Sequence, residues 1–429
     1  MSENGLYRGG VLSTIFPRHL ELLPNTNQLW EIDMAYGEVH SIGNHEKLVQ
    51  RSAFFARVDG RETHHYKICK ASPLQVDRKS SLRRQTFFDV NQFKTGYATH
   101  GLFPYRGKFH PQLIKGIMNI INVEKGETVL DPMAGSGTVC IEAAINGIHS
   151  IGVDISPFCI LMTNAKAKAL TVNVEELQGI FKEGIAVITD EARIPIETVS
   201  RRVYQEDLFK QPERLSQGIL KIGEEHRDIL LLCFLDAMGY AARRKNKTGE
   251  DLFSVIAERY LAAVEKFQSV RNELGLTLGN VCAKTGDARK LDLSDNSVDG
   301  IITSPPYSFA IDYAENDRPQ LEYLGHDVEN LKSQMIGLIG GKSVDARVKN
   351  YFRDMKLVFE EMARVLKPGR CCVVVIGSNE VQTGGIRHER EFERFGDEVG
   401  FKLFWKMVRP IEGIRNSMRD EYVMFFQKS

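Results

Sequence analysis

Apolar residues along this chain fall into two kinds of run. Short continuous or alternating runs bounded by turn residues predict strands at 128–131, 150–156, within 280–289, and at 299–302, 370–378, 401–408 and 421–427. Longer stretches repeat every three or four positions and predict helices. Leu113, Ile114, Ile117, Met118 and Ile121 share one face behind Pro111, which suits the first position of a helix. A second helix runs from Thr138 through Ala144. Phe352, Met355, Phe359, Met362 and Leu366 form the stripe of a third over 351–366.

Strands alternating with helices predict an α/β fold, a doubly wound, mostly parallel sheet with helices on both faces. Residues 157–275 read as helical with few strand signals, on patterns such as Leu177, Ile180, Phe181, Ile185, Val187 and Ile188. That is long for one crossover, so 171–275 is expected to be a helical insertion into a domain made of 101–170 and 276–429. Residues 1–100 form an N-terminal extension, with strand-like pieces at 28–32 and 53–58. Residues 308–350, with Gly337, Gly340 and Gly341, read as a helix plus a mobile loop.

Charge adds one constraint: 56 Lys and Arg balance 56 Asp and Glu. There is no global basic character, so a nucleic-acid partner must be held by local patches. Two candidates are the basic, hydroxyl-rich run 77–84 and the knot 243–247 beside Tyr240, although a charge run is usually a solvated face. The 7 cysteines are scattered without zinc-site spacing, and His64-His65 has no partner cluster in sequence, so no metal is expected. The longest apolar run, 229–238, is broken by Asp236 and too short for a bilayer. These features predict a soluble cytoplasmic protein without a membrane partner.

The chemistry gathers at predicted strand exits, where open α/β sheets bind ligands. The first strand ends at Asp131, followed by Pro132, Met133, Ala134, Gly135, Ser136, Gly137 and Thr138. Gly135 and Gly137 permit a tight turn and a close ligand approach. This is not the dinucleotide GxGxxG spacing, and no lysine follows to hold phosphate. A carboxylate at the mouth suits a ligand with a positive amino group. Asp154, about twenty residues beyond the turn, stands where an acid accepts ribose hydroxyls, or where it caps the next helix. Asp287 could accept an adenine amino group while the Ala288 N–H pairs with the ring; a solvated loop acid is the other reading. The fourth run leads into Thr303-Ser304-Pro305-Pro306-Tyr307. Two prolines force a stiff exit from the sheet, holding a hydroxyl, free carbonyls and an aromatic ring together.

These motifs resemble the S-adenosyl-L-methionine-dependent class I methyltransferases, and within them the amino-methylating DNA enzymes. The resemblance covers about residues 100–170 and 280–429 and implies a seven-stranded Rossmann-like sheet. It implies that Asp131, Pro132, Ala134, Gly135, Gly137 and Thr138 bind the donor's methionine part. Asp154 with Ile155 takes the family's second-strand position, Asp287 and Ala288 its adenine-binding position, and Phe109 and His110 its flanking cofactor loop. Ser304, Pro305, Pro306 and Tyr307 correspond to its catalytic motif. The serine form is more similar to cytosine-N4 than to adenine-N6 enzymes, although many cytosine-N4 enzymes carry the two motifs in the opposite order. DNA is the implied substrate, with a cognate restriction endonuclease as a possible partner. An RNA guanine-N2 methyltransferase, an adenine-N6 DNA methyltransferase and a non-catalytic nucleic-acid-binding protein are the rival readings.

Overall fold

The computed structural model describes residues 29–41, 97–105, 107–191, 224–241, 249–306, 312–339, 344–377, 386–410 and 420–429. The strand-like run 53–58, the histidine pair, both basic segments and Tyr307 lie outside the described residues.

Seven strands form one sheet: β1 (Thr128–Asp131), β2 (His149–Asp154), β3 (Val281–Thr285), β4 (Val298–Thr303), β5 (Leu366–Gly377), β6 (Phe401–Pro410) and β7 (Asp420–Lys428). Their order across the sheet is β3-β2-β1-β4-β5-β7-β6. The first five run parallel, and β7 is antiparallel to both β5 and β6. This is the doubly wound, mostly parallel α/β architecture expected from the alternating runs. The strand order reverses between β1 and β4, so a crevice opens there at the carboxyl ends of the strands.

Alternate side chains feed two cores. Cys372, Val374, Ile376, Met424 and Phe426 pack under α11 (Val344–Val365) and α12 (His388–Glu398). Val373, Val375, Val423 and Phe425 pack on the other face, with Ile114 and Ile117 of α2 (Pro111–Ile120) and Val139 and Ala143 of α3 (Thr138–Ile145). The two-residue period of a strand buried on both faces produces this division. Helix α12 has no counterpart in the sequence reading, because only Phe392 and Phe395 interrupt a charged run; both are fully buried.

Two expectations are corrected. Residues 28–32 do not begin a strand: Leu29–Ser41 is a helix, α1. Its Met34 enters the core beside Leu113 and Met407, and Gly37 lies so close to Trp405 that a Cβ would stand 2.6 Å from the indole. Tertiary packing against α2 and β6 overrides the local alternation. Within 308–350, the described residues form three short helices, α8 (Tyr313–Asn316), α9 (Arg318–Tyr323) and α10 (Val328–Gln334), followed from Val344 by the first turns of α11, instead of one helix and a loop. Ala314, Leu321, Val328 and Leu331 anchor them in a third core.

That core also holds α4 (Pro157–Ala169) and three helices from 171–275: α5 (Val174–Glu191), α6 (Glu224–Ala241) and α7 (Gly249–Leu274). The helices of 171–275 therefore pack directly on α4 and on the cap made by α8–α10. No described helix is long and apolar enough to cross a membrane.

Candidate functional site

The turn after β1 is built almost wholly from backbone. Gly135 and Gly137 adopt φ of +50° and +74°, and the Gly137 N–H closes the turn on the Ala134 carbonyl at 2.8 Å. Behind Gly137 stands Thr163, whose Oγ1 would lie 2.5 Å from an added Cβ. Glycine is therefore required here both by conformation and by space. The buried Lys166 Nζ donates to the Ser136 carbonyl at 2.9 Å, bracing the turn from the α4 side.

Asp154, at the tip of β2, accepts the Gly135 N–H and the Ser156 N–H, each at 2.8 Å. Burial raises its pKa, and those N–H groups oppose the rise. Each oxygen keeps a lone pair for a ligand donor. Asp131 sits beneath the turn and accepts the Met133 N–H at 3.2 Å. Burial, with the Asp154 charge added, pushes its pKa up to about 7.

Asp287 is tied to Arg289, whose Nε and Nη2 both reach its carboxylate at 2.8–3.1 Å. Burial would raise this acid, but the guanidinium holds it below the usual range. The same guanidinium donates to Asp354 of α11 at 3.0 Å and to the Gln334 carbonyl of α10 at 2.8 Å. Past β4, Pro305 is buried while Ser304 and Pro306 are half-buried. The Pro306 carbonyl accepts the hydroxyl of the buried Tyr351 at 2.9 Å, pinning the proline exit to α11.

One cleft, about 1000 Å³ including its open mouth, joins these parts. Of the residues expected from sequence, Phe109, Pro132, Ala134, Gly135, Thr138, Asp154, Ile155, Asp287, Ala288, Ser304 and Pro306 line it. His110, Asp131, Gly137 and Pro305 are not on its wall. Cys159, Tyr313, Asp317, Gln334, Met335, Ile336 and Leu338, which the sequence did not single out, also line the cleft, as does Tyr105. Among the described residues, three carboxylates and no Lys, Arg or His line the cleft. Such a wall suits a ligand with positive charge and hydroxyls, and the apolar Phe109, Ile155 and Ala288 suit a flat ring. Among the described residues no cluster of His, Cys, Asp and Glu could hold a metal ion.

The cleft lies at the switch point of a doubly wound sheet, where open α/β sheets bind ligands, with acids at successive strand tips and a proline-stiffened exit at its edge. A family model described as an RMKL-like methyltransferase domain, UPF0020, matches residues 102–197. The chain is 23% identical over 321 residues to the type II methyltransferase M.BsoBI of Geobacillus stearothermophilus, covering 62% of this chain and 61% of that protein. It is 40% identical over 82 residues to the type II methyltransferase M.MjaII of Methanocaldococcus jannaschii, covering 19% and 15% of the two chains. A tRNA (guanine(10)-N2)-dimethyltransferase of Methanothermobacter thermautotrophicus is 32% identical over 79 residues, 18% of this chain and 24% of that one. The chain thus spans about three fifths of the length of the Geobacillus relative. With the motifs, these matches make the chain similar to S-adenosylmethionine-dependent methyltransferases, type II DNA methyltransferases among them, without fixing a subtype.

Proposed function

We propose that this protein methylates an exocyclic amino group in DNA, with cytosine N4 as the target, as a site-specific modification methyltransferase. The observation that carries the reading is that Ser304 and Pro306 open onto the same cleft as Gly135, Asp154 and Asp287. The donor, S-adenosylmethionine, supplies an electrophilic methyl group on a sulfonium. Gly135 and the neighbouring turn would hold its methionine part, Asp154 its ribose hydroxyls, and Asp287 with Ala288 its adenine.

An exocyclic amine is a poor nucleophile because its lone pair is delocalised into the ring. Ser304 Oγ and the Pro305 carbonyl would each hold one N–H of that amine. Fixing both N–H bonds turns the nitrogen lone pair toward the methyl carbon. Tyr307 would stack on the base. Pro306, held by Tyr351, keeps the acceptors still. A base inside a duplex cannot reach such a site, so it must be flipped out or single-stranded. Residues 1–100, the 171–275 helices and the cap are the candidate target-recognition elements, and a cognate restriction endonuclease is the expected partner.

Modification-sensitive sequencing of DNA from cells expressing wild type or Ser304→Ala tests this reading. A methylated motif present with wild type and lost with Ser304→Ala is expected. Absence of any methylated motif in the wild-type sample would sink the DNA assignment. A second reading rests on the match to the archaeal tRNA enzyme. It requires label transfer from tritiated donor to RNA but not to DNA.

A further inference from the structure

Three aspartates open the three cap helices, and one of them behaves differently. The Asp312 carboxylate accepts the Glu315 N–H at 2.9 Å, and that of Asp327 accepts the Asn330 N–H at 3.0 Å, so both cap their helices. Asp317, which opens α9, makes no such bond. Its main chain is fixed, with the N–H on the Tyr313 carbonyl at 3.0 Å and its own carbonyl accepting from Leu321 at 2.9 Å. Its side chain is left to the cleft, which it lines while only 9% exposed.

The other two acids of the cleft are answered, Asp154 by backbone N–H groups and Asp287 by Arg289. Among the described residues, Asp317 has no hydrogen-bond donor and no cation. Nor does any described basic residue line the cleft. A nearly buried carboxylate without a partner is costly to keep ionised. Burial, with the Asp154 charge added, pushes its pKa up to about 7. Tyr105, Cys159 and Tyr313 line the same cleft, and Tyr313 is joined to Asp317 through its carbonyl. Two tyrosine rings beside a carboxylate favour an ammonium ligand, since both ring face and acid attract a cation.

We propose that Asp317 receives the α-ammonium of the donor's amino-acid moiety. The proposal rests on the reading that the cleft holds S-adenosylmethionine. Asp317 is then a donor-binding residue supplied by the cap, outside the glycine-turn and strand-tip motifs.

Isothermal titration of the full chain with three ligands separates the two readings. S-adenosylmethionine and S-adenosylhomocysteine carry the ammonium; 5′-methylthioadenosine carries the same nucleoside without the amino acid. Asp317→Asn should weaken the first two by about tenfold to a hundredfold, the worth of a charge-assisted hydrogen bond. Methylthioadenosine should bind wild type and variant alike, which also shows that the variant is folded. Equal losses for all three ligands would make Asp317 a scaffold residue and overturn the proposal, as would unchanged S-adenosylmethionine binding. A wild-type protein that binds none of the three would remove the donor reading itself.

Discussion

The cleft has two walls that are held in place by different physics. One wall, the turn at 131–138 with Asp154, is fixed from within. Backbone bonds close it, the buried Lys166 braces it, and Thr163 leaves no room behind Gly137. The other wall is the cap, α8–α10. Its apolar side chains enter the helical core, but its outer face is tied by exposed ion pairs. Arg318 reaches Glu315, Glu322 and Glu329, and Lys332 reaches Asp312 and Glu315. Interior bonds in a low dielectric resist salt and tolerate little change, whereas exposed pairs are screened and individually weak. The inner wall is thus built to a fixed shape, and the cap is the wall that can adjust.

The sharpest break of this comparison is Gly137→Ala. The change forces an L side chain into the left-handed region, at about 1–2 kcal/mol. It also drives a Cβ against Thr163, whose Oγ1 is itself held by the Cys159 carbonyl at 2.9 Å. Overpacking of that kind adds about 1–3 kcal/mol. Urea unfolding should therefore show a loss of about 2–5 kcal/mol, and Thr163→Ala in the same chain should restore part of it. A loss under about 1 kcal/mol would mean that the inner wall yields, and the contrast with the cap would fail.

The inner wall is also the part most legible in sequence. Its parts are local: a short apolar run, an acid at its end, glycines where the backbone must turn, and a second acid one strand later. The proline exit is legible for the same reason, since Pro305-Pro306 constrains its own backbone. The cap is not local. Nothing in the residues around Asp317 distinguishes it from Asp312 and Asp327, which cap their helices. Only the fold shows that it lines the cleft together with Asp154 instead. Arg289 escaped notice likewise, because its partners Asp354 and Gln334 are distant in sequence. Helix α1 was misread because its buried face is defined by Trp405 and α2, far along the chain.

Arg289 bridges the two walls, so Arg289→Met should loosen both. Asp287 loses its fixed orientation, the Gln334 carbonyl loses its donor, and among the described residues Asp354 keeps Arg353 as its cationic neighbour. Donor affinity should fall about tenfold or more, in line with loss of hydrogen bonds to charged groups. Methylthioadenosine should weaken as much as S-adenosylmethionine, because the adenine side is affected. That pattern is the opposite of the one expected for Asp317→Asn. Calorimetry on both variants therefore tells whether the walls act on separate parts of the donor.

A smaller effect follows from pH. Burial lifts Asp131 and Asp317 to about 7 from an ordinary value of 3.8. In the free protein the folded state keeps these protons longer than the unfolded chain does. Their contribution to stability is therefore present below the ordinary value and declines as pH rises toward 7. A cationic ligand at Asp317 reverses the preference, since it needs the ionised carboxylate and binding releases a proton. Affinity for S-adenosylmethionine should rise up to about tenfold between pH 6 and 8, then level off. Asp317→Asn should flatten that rise, leaving only what Asp131 contributes. A slope unchanged in the variant would assign the titration to the inner wall.

The smallest effect belongs to the outer face of the cap. Arg318→Ala removes three carboxylate contacts at 2.7, 3.1 and 2.5 Å. Their count suggests a large loss, but the partners are 44–72% exposed and the arginine 28%. Water and salt screen such pairs, and Lys332 stays to hold Glu315. The loss should be about 1 kcal/mol or less at low salt and should shrink in 1 M salt, read by urea unfolding at both ionic strengths. A loss above about 2 kcal/mol that persists in high salt would show that the cap is held as rigidly as the glycine turn. It would then be a second fixed wall, and donor entry could not depend on its adjustment.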